Sequence, residues 1–135
     1  MKIRIALIVL AWSLSADAGA TDPGPRDMNY TGRVTDPVQV CMVKRTVQPH
    51  TPYTYDYRGK TYHFCCTACL TKFKADPDHL KFATDPVNGK RVDKTEAFIY
   101  SYHGHAYFFR SKRTLKKFSK KPGKYLATHA ATDGA

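Results

Sequence analysis

Four cysteines carry the reactive chemistry of this chain. Cys65, Cys66 and Cys69 lie close together in the sequence, and Cys41 lies upstream of them. As thiolates, cysteines bind soft and borderline metal ions such as Cu(I) and Zn²⁺. In an oxidising compartment the same thiols form disulfides. The grouping therefore predicts a metal site, a structural disulfide or a redox pair.

The residues around this cluster predict a β-hairpin that leads directly into a helix. Residues 53–64 alternate, are rich in tyrosine and have a glycine-containing turn in the middle, which favours two paired strands. After the hairpin the spacing becomes helical, so we predict a helix over about 66–74, ended by Asp76-Pro77. This helix places Cys65 and Cys69 on one face, and its N-terminus favours the thiolate form.

A third thiol and one further ligand would complete a tetrahedral zinc site, whereas two or three thiolates suit Cu(I). Cys41 lies in a predicted strand over residues 38–43, from which it would close the site from the other side. The candidates for the remaining ligand are Cys66, His63 and a water molecule. His63 precedes Cys65 by two residues, which puts both on one face of a strand.

The second half of the chain repeats the first. The repeated landmarks are the Asp-Pro-Val tripeptides at 36–38 and 85–87, the hairpins at 53–64 and 97–109, and the helices at 65–73 and 110–118. Agreement at this many positions indicates two copies of one structural unit. In the second copy Arg110 replaces Cys65. Thr114 replaces Cys69, and Cys41 has no cysteine counterpart, so the second copy keeps the frame and lacks the thiols.

These landmarks together resemble the YHS domain and the related TRASH domain. The resemblance is carried by Asp36-Pro37-Val38, by Cys41-Met42, and by the run Tyr57-x-Gly59-x-x-Tyr62-x-Phe64-Cys65-x-x-x-Cys69-x-x-x-Phe73-x-x-Asp76-Pro77. It covers residues 36–82, and a degenerate copy follows at 85–126. The resemblance implies a small treble-clef-like fold and a role in binding or sensing soft metals, commonly copper or other heavy metals. It also implies that Cys41, Cys65 and Cys69 are the ligands.

The chain departs from the family pattern at two cysteines. The family usually reads Asp-Pro-Val-Cys-Gly-Met, but here Gln39 and Val40 stand before Cys41-Met42. Cys66 is an additional thiol at a position where the family often has serine. These departures leave the identity of the metal and of the closing ligand open.

We therefore predict an α+β protein of two small treble-clef-like units, each a β-hairpin followed by a short helix. The first unit, at 36–82, contains the cysteines, and the second, at 83–126, lacks them. Roughly 90 folded residues bury only a modest core, which a bound metal or disulfides would supplement.

The ends of the chain have a different character. Lys2 and Arg4 precede an apolar run, and small residues with an A-x-A pattern follow, so we predict that residues 1–20 form a signal peptide. Export, most simply to a bacterial periplasm, follows from this prediction. We expect residues 21–35 to form a flexible leader and residues 127–135 a disordered tail.

The charge of the chain bears on its partners. The formal net charge is +11, and seven of the thirteen residues at 112–124 are basic. For an exported protein this favours an acidic protein or an anionic membrane surface as partner, rather than nucleic acid. For residues 112–124 themselves, the narrow apolar face of Leu115 and Phe118 favours a solvated helix that caps the core. His103 and His105 lie at a predicted hairpin turn, where we expect surface histidines.

Two other functions compete with metal binding. Cys66 and Cys69 form a C-x-x-C at a helix start, as in thiol–disulfide oxidoreductases, although no thioredoxin-like βαβ pattern surrounds them. Alternatively, a disulfide from Cys41 to a helix thiol would make the protein a stapled interaction module. The sequence has no paired carboxylates, Ser-His-Asp set or phosphate-binding loop. We therefore predict that the protein is not an enzyme.

Overall fold

A computed structural model describes residues 27–129 of the chain and shows an α+β fold. The strands are β1 (Gly32–Val34), β2 (Val40–Cys41), β3 (Thr46–Val47), β4 (Tyr53–Tyr57), β5 (Lys60–Phe64), β6 (Phe82–Thr84), β7 (Arg91–Asp93), β8 (Phe98–Tyr102) and β9 (His105–Phe109). The helices are α1 (Thr67–Ala75), α2 (Pro77–Leu80), α3 (Lys112–Lys120) and α4 (Pro122–His129). A short 3₁₀ turn spans Pro37–Gln39.

Both predicted hairpins are confirmed, and they turn in the same way. β4 pairs antiparallel with β5, and β8 pairs antiparallel with β9. The turn residues Arg58 and Gly59 have φ of 51° and 77°, and His103 and Gly104 have φ of 50° and 79°. Two consecutive residues at positive φ define the turn whose twist matches that of the flanking strands. His103 lies exposed in this turn, as expected, whereas His105 begins β9, is half-buried and pairs with Thr46 of β3.

The helices that follow the hairpins, α1 and α3, are also equivalent. The first begins one residue after its predicted start and ends one residue after its predicted end. Each helix packs one phenylalanine against its own hairpin. The ring centroids of Phe73 and Phe64 are 5.1 Å apart, and so are those of Phe118 and Phe109. The same internal packing in both halves shows that the sequence repeat is a structural repeat.

The two halves share one sheet. Its strand order is β1-β8-β9-β3-β2, so strands of the first half flank the hairpin of the second half on both sides. A core cluster under this sheet combines apolar residues of both halves: Val34, Val40, Val47, Ile99, Ala106 and Phe108. This cluster therefore depends on both halves, whereas a second cluster, which includes Tyr62, Phe64 and Phe73, belongs to the first half alone.

A polar contact also joins the halves. The buried carboxylate of Asp93, at the end of β7, accepts hydrogen bonds from the Tyr62 hydroxyl at 3.1 Å and from the Lys60 ammonium at 3.0 Å. Burial and the nearby Asp93 charge raise the pKa of Tyr62 to about 12, so its hydroxyl stays protonated and remains a donor at physiological pH. The turn that follows β7 is thereby fixed against the first hairpin.

The structure differs from the sequence predictions in four places. Residues 32–34 of the predicted leader form β1, because pairing with β8 buries Val34. The predicted strand over 38–43 is a 3₁₀ turn followed by the two-residue strand β2. A strand that was not predicted, β6, begins at Phe82, the last residue of the predicted first unit. The last helix, α4, continues to His129, past the predicted boundary at 126.

The predicted signal peptide at 1–20 and the last six residues of the predicted tail lie outside the described residues.

The two hairpin glycines provide a matched test of the shared sheet. Gly104 donates its N–H to the Tyr30 carbonyl at 2.9 Å, and a Cβ atom on Gly104 would overlap the Met28 carbonyl. A Cβ atom on Gly59 would meet nothing within 4 Å. Both glycines have positive φ, so each change to alanine costs roughly 1–2 kcal/mol of backbone strain. We expect Gly104→Ala to lower the free energy of unfolding by about 1–3 kcal/mol more than Gly59→Ala, because the N-terminal segment must move.

Urea denaturation of both variants measures this difference. Equal losses of stability in the two variants would show that the segment before β1 contributes nothing to the fold.

Candidate metal centre

Three of the four thiols converge at the end of the first hairpin. The Sγ atoms of Cys41, Cys65 and Cys69 all lie within 4.8 Å of one another. Cys65 and Cys69 are 3.8 Å apart between sulfur atoms. Two sulfurs bound to one tetrahedral zinc ion at about 2.3 Å each are separated by about 3.8 Å. The spacing and the all-sulfur donor set therefore fit a metal ion.

Cys41 reaches the cluster from a tight turn. It ends β2, and the next strand is β3, so residues 42–45 reverse the chain. Burial raises the pKa of the Cys41 thiol, but hydrogen bonds from the backbone N–H groups of Lys44, Cys65 and Val43 outweigh burial and lower the pKa overall. Backbone donors directed at one sulfur stabilise its thiolate, which is the form that binds metal.

Cys65 and Cys69 come from the junction between β5 and α1. Burial, together with neighbouring thiols, raises the pKa of both groups. Like charges close together disfavour full ionisation, so the three thiols do not all become thiolates without a cation between them. The cluster is therefore suited to a cation that neutralises the sulfurs as it binds.

The cluster lies in an apolar setting. Cys41 and Cys69 are buried together with Met42, Tyr62 and Phe64. This shell keeps water from the sulfurs and lowers the local dielectric constant, which strengthens the attraction between thiolates and a cation.

Cys66 and His63, the two protein candidates for a fourth ligand, lie outside this mutually close set. Cys66 is adjacent to it, with its sulfur 3.7 Å from that of Cys65. The backbone N–H and the thiol of Cys69 lower the pKa of Cys66 to about 7. His63 is partly buried, and its Nδ1 atom has no hydrogen-bond partner among the described residues. Burial lowers the pKa of His63, so its imidazole is neutral at physiological pH.

In the second unit, a carboxylate and its hydrogen-bond donors take the place that the thiol cluster has in the first. The buried carboxylate of Asp85 accepts hydrogen bonds from the Arg110 N–H at 2.9 Å and from the Thr114 hydroxyl at 2.7 Å. Arg110 and Thr114 are the counterparts of Cys65 and Cys69 in the sequence repeat. Asp85 entered the sequence analysis only as part of the repeated Asp-Pro-Val tripeptide. Its first-copy counterpart, Asp36, is exposed. The second unit thus satisfies its own polar groups where the first presents free thiols.

Helix α3 shows a strongly basic outer surface. Its buried residues are Thr114 and Phe118, and its exposed residues are Lys112, Arg113, Lys116, Lys117 and Lys120. Within residues 27–129, none of these five cations forms a salt bridge with a carboxylate. This basic surface is a chemical feature of the second unit that has no counterpart in helix α1 of the first, where the basic residues are Lys72 and Lys74.

The low pKa of Cys66 predicts its reactivity. In the reduced, metal-free protein we expect iodoacetamide to modify Cys66 first, at a rate that rises with pH through about 7, because only the thiolate reacts. Cys69, which is 4% exposed and has a raised pKa, should react slowly at this pH. Mass spectrometry of peptides after timed alkylation distinguishes the two residues. A faster reaction at Cys69 than at Cys66 would contradict the assigned environments.

Comparison with known proteins agrees with this geometry. The YHS domain matches the chain twice, over residues 34–81 and 83–129. No curated protein and no solved structure matches the chain. The two matches cover most of the chain, one containing the thiol cluster and the other the carboxylate–hydroxyl pair. The chain therefore belongs to the YHS domain family, with two copies of the domain in tandem.

Proposed function

We propose that this protein is an exported, non-enzymatic metal-binding protein that carries, buffers or senses a soft or borderline ion, Cu(I) or Zn²⁺. The observation that carries the proposal is the set of three mutually close thiols, two of them buried, in a YHS domain. Thiolates select these ions over hard cations such as Mg²⁺ and Ca²⁺.

The proposed ligands are Cys41, Cys65 and Cys69. Three thiolates suffice for Cu(I), whereas Zn²⁺ takes a fourth ligand. Cys66 is the nearest candidate, because its sulfur is 3.7 Å from that of Cys65 and its pKa is about 7. Neutral His63 and a water molecule are the other candidates for that position.

Export is proposed from the sequence of residues 1–20, which has the basic, apolar and small-residue regions of a signal peptide. Among the described residues, no helix is long and apolar enough to cross a membrane. An acidic protein or an anionic membrane surface is the proposed macromolecular partner, supported by the basic surface of α3. Such binding would weaken as ionic strength rises.

Thiol–disulfide exchange through Cys66 and Cys69 is the second candidate function. A specific observation favours it: the Cys66 thiol has a pKa of about 7, close to that of attacking thiols in redox enzymes. A disulfide staple from Cys41 is the third reading, because its sulfur lies within 4.8 Å of those of Cys65 and Cys69. All four thiols are free in the structure.

Anaerobic purification of the mature protein separates these functions. We expect one equivalent of zinc or copper by elemental analysis, with thiols that become reactive only after the metal is removed. Protein without metal and without free thiols, even when unfolded, would contradict metal binding. The reduction potential of that oxidised protein would then distinguish a staple from a redox catalyst.

A matched pair of substitutions tests where the metal binds. Cys69→Ser removes a proposed ligand and should weaken metal binding at least about tenfold, because a hydroxyl is a poor ligand for soft ions. Thr114→Ala changes the equivalent residue of the second unit. It should leave the metal affinity unchanged, while loss of the buried hydrogen bond to Asp85 lowers the free energy of unfolding by about 1–3 kcal/mol.

Competition with a chromophoric chelator gives the affinities, and urea denaturation gives the stabilities. Equal losses of metal affinity in the two variants would refute the assignment of metal binding to the first unit.

A further inference from the structure

A buried lysine of the second unit lies against the cysteine-bearing turn of the first. Lys94 follows β7 and is only 4% exposed. Its ammonium donates hydrogen bonds to the carbonyl oxygens of Met42 and Leu80, each at 2.7 Å. Its backbone N–H donates to the Lys81 carbonyl at 2.9 Å. Both side-chain acceptors belong to the first unit, and Met42 directly follows Cys41.

This cation has no carboxylate partner among residues 27–129. The nearby Asp93 carboxylate is already engaged by Lys60, Tyr62 and Thr95. A buried charge without an opposite charge is costly, and two carbonyl dipoles compensate it only in part. A negative charge close to Lys94 would therefore stabilise its buried ammonium.

The thiol cluster is a source of negative charge beside this lysine, because Met42, whose carbonyl accepts from the ammonium, directly follows Cys41. Burial and the charge of Arg45 lower the pKa of Lys94 to about 8, whereas the Cys41 thiolate and Asp93 raise it. Three thiolates with one Cu(I) carry a formal charge of −2, and with Zn²⁺ a charge of −1. In an apolar surrounding such a centre is stabilised by a cation held nearby.

We propose that Lys94 is the charge-balancing residue of the thiol cluster: its ammonium, supplied by the second unit, offsets the negative charge that Cys41, Cys65 and Cys69 carry when they hold a metal ion. Lys94 is a positioning residue and not a ligand, since it acts on the sulfurs through the Met42 turn and through the electrostatic field. The inference rests on the proposed function, and it assigns a role in metal binding to the half of the protein that lacks thiols.

Lys60 is the matched control. It also joins the two units, but its ammonium pairs with the carboxylates of Asp93 and Glu96, at 3.0 Å and 2.9 Å. Its charge is therefore already compensated. Changing either lysine to methionine keeps an unbranched side chain of similar length and removes the charge. Because only Lys94 donates to the Met42 carbonyl, Lys94→Arg, which keeps a charged donor, separates the effect of the charge from that of the lost side chain.

The experiment measures the affinity for Zn²⁺ and for Cu(I) in reduced wild-type, Lys94→Met and Lys60→Met proteins by chelator competition. Unfolding of each metal-free protein is measured in parallel. We expect Lys94→Met to weaken binding of both ions at least about tenfold, because the centre is anionic with either ion. Lys60→Met should remain within about twofold of wild type, and Lys94→Arg should recover part of the affinity.

Equal affinity of Lys94→Met and wild type overturns the proposal, and so does an equal loss in Lys60→Met. Wild-type protein that binds no metal overturns both this inference and the proposed function. If Lys94→Met does not fold, nitrogen-15 NMR of the wild-type lysine side chains answers the same question. Binding of Cu(I), which gives the three-thiolate centre a charge of −2, should keep the Lys94 ammonium protonated to higher pH, and an unchanged titration on Cu(I) binding would refute the proposal.

Discussion

The pairing of β1 and β3 with the second hairpin is the constraint on which the rest of the fold depends. An isolated two-stranded hairpin is marginal in water, and each unit of this protein has little more than a hairpin and a helix. By flanking β8 and β9 with strands of the first unit, the chain builds a five-stranded sheet with one core beneath it. Cys41 ends β2, and the turn that follows it leads into β3, which pairs with β9. The thiol cluster is therefore positioned by contacts from both units.

The two units have the same junction between hairpin and helix, but different chemical groups occupy it. In the second unit, the Asp85 carboxylate receives donors from Arg110 and Thr114, and these polar groups satisfy each other. In the first unit, the equivalent positions hold thiols, which are weak donors and cannot satisfy one another as a carboxylate and a hydroxyl do. The repeat therefore conserves the packing around Phe73 and Phe118, while only the first copy leaves buried groups available to a ligand.

The fold could be predicted from the sequence where the signal is local. Alternation over residues 53–64 and helical spacing after Cys65 each specify one element, and the repeat transfers both to the second half. The strand β1 could not be predicted, because three residues carry no periodicity and only distant pairing with β8 orders them. Strands β6 and β7 pair locally with each other, but three residues in each carry too little alternation to be recognised. The sheet order across the two units has no local signal at all.

The site could be predicted in its ligands but not in its surroundings. Cysteine spacing identifies the thiols, since few other residue types have this chemistry. By contrast, Asp93-Lys94-Thr95-Glu96 has the composition of an exposed turn, yet Asp93 and Lys94 are buried against the first unit. Charged residues of this kind become interior only through tertiary contacts, which sequence reasoning about one segment does not contain. A first unit transplanted alone would keep Cys41, Cys65 and Cys69. It would lose β8 and β9 of the shared sheet, together with the only buried ammonium found against its cysteine turn in residues 27–129. The motif thus specifies which atoms can bind a metal, whereas the second unit determines the electrostatic environment in which they do so.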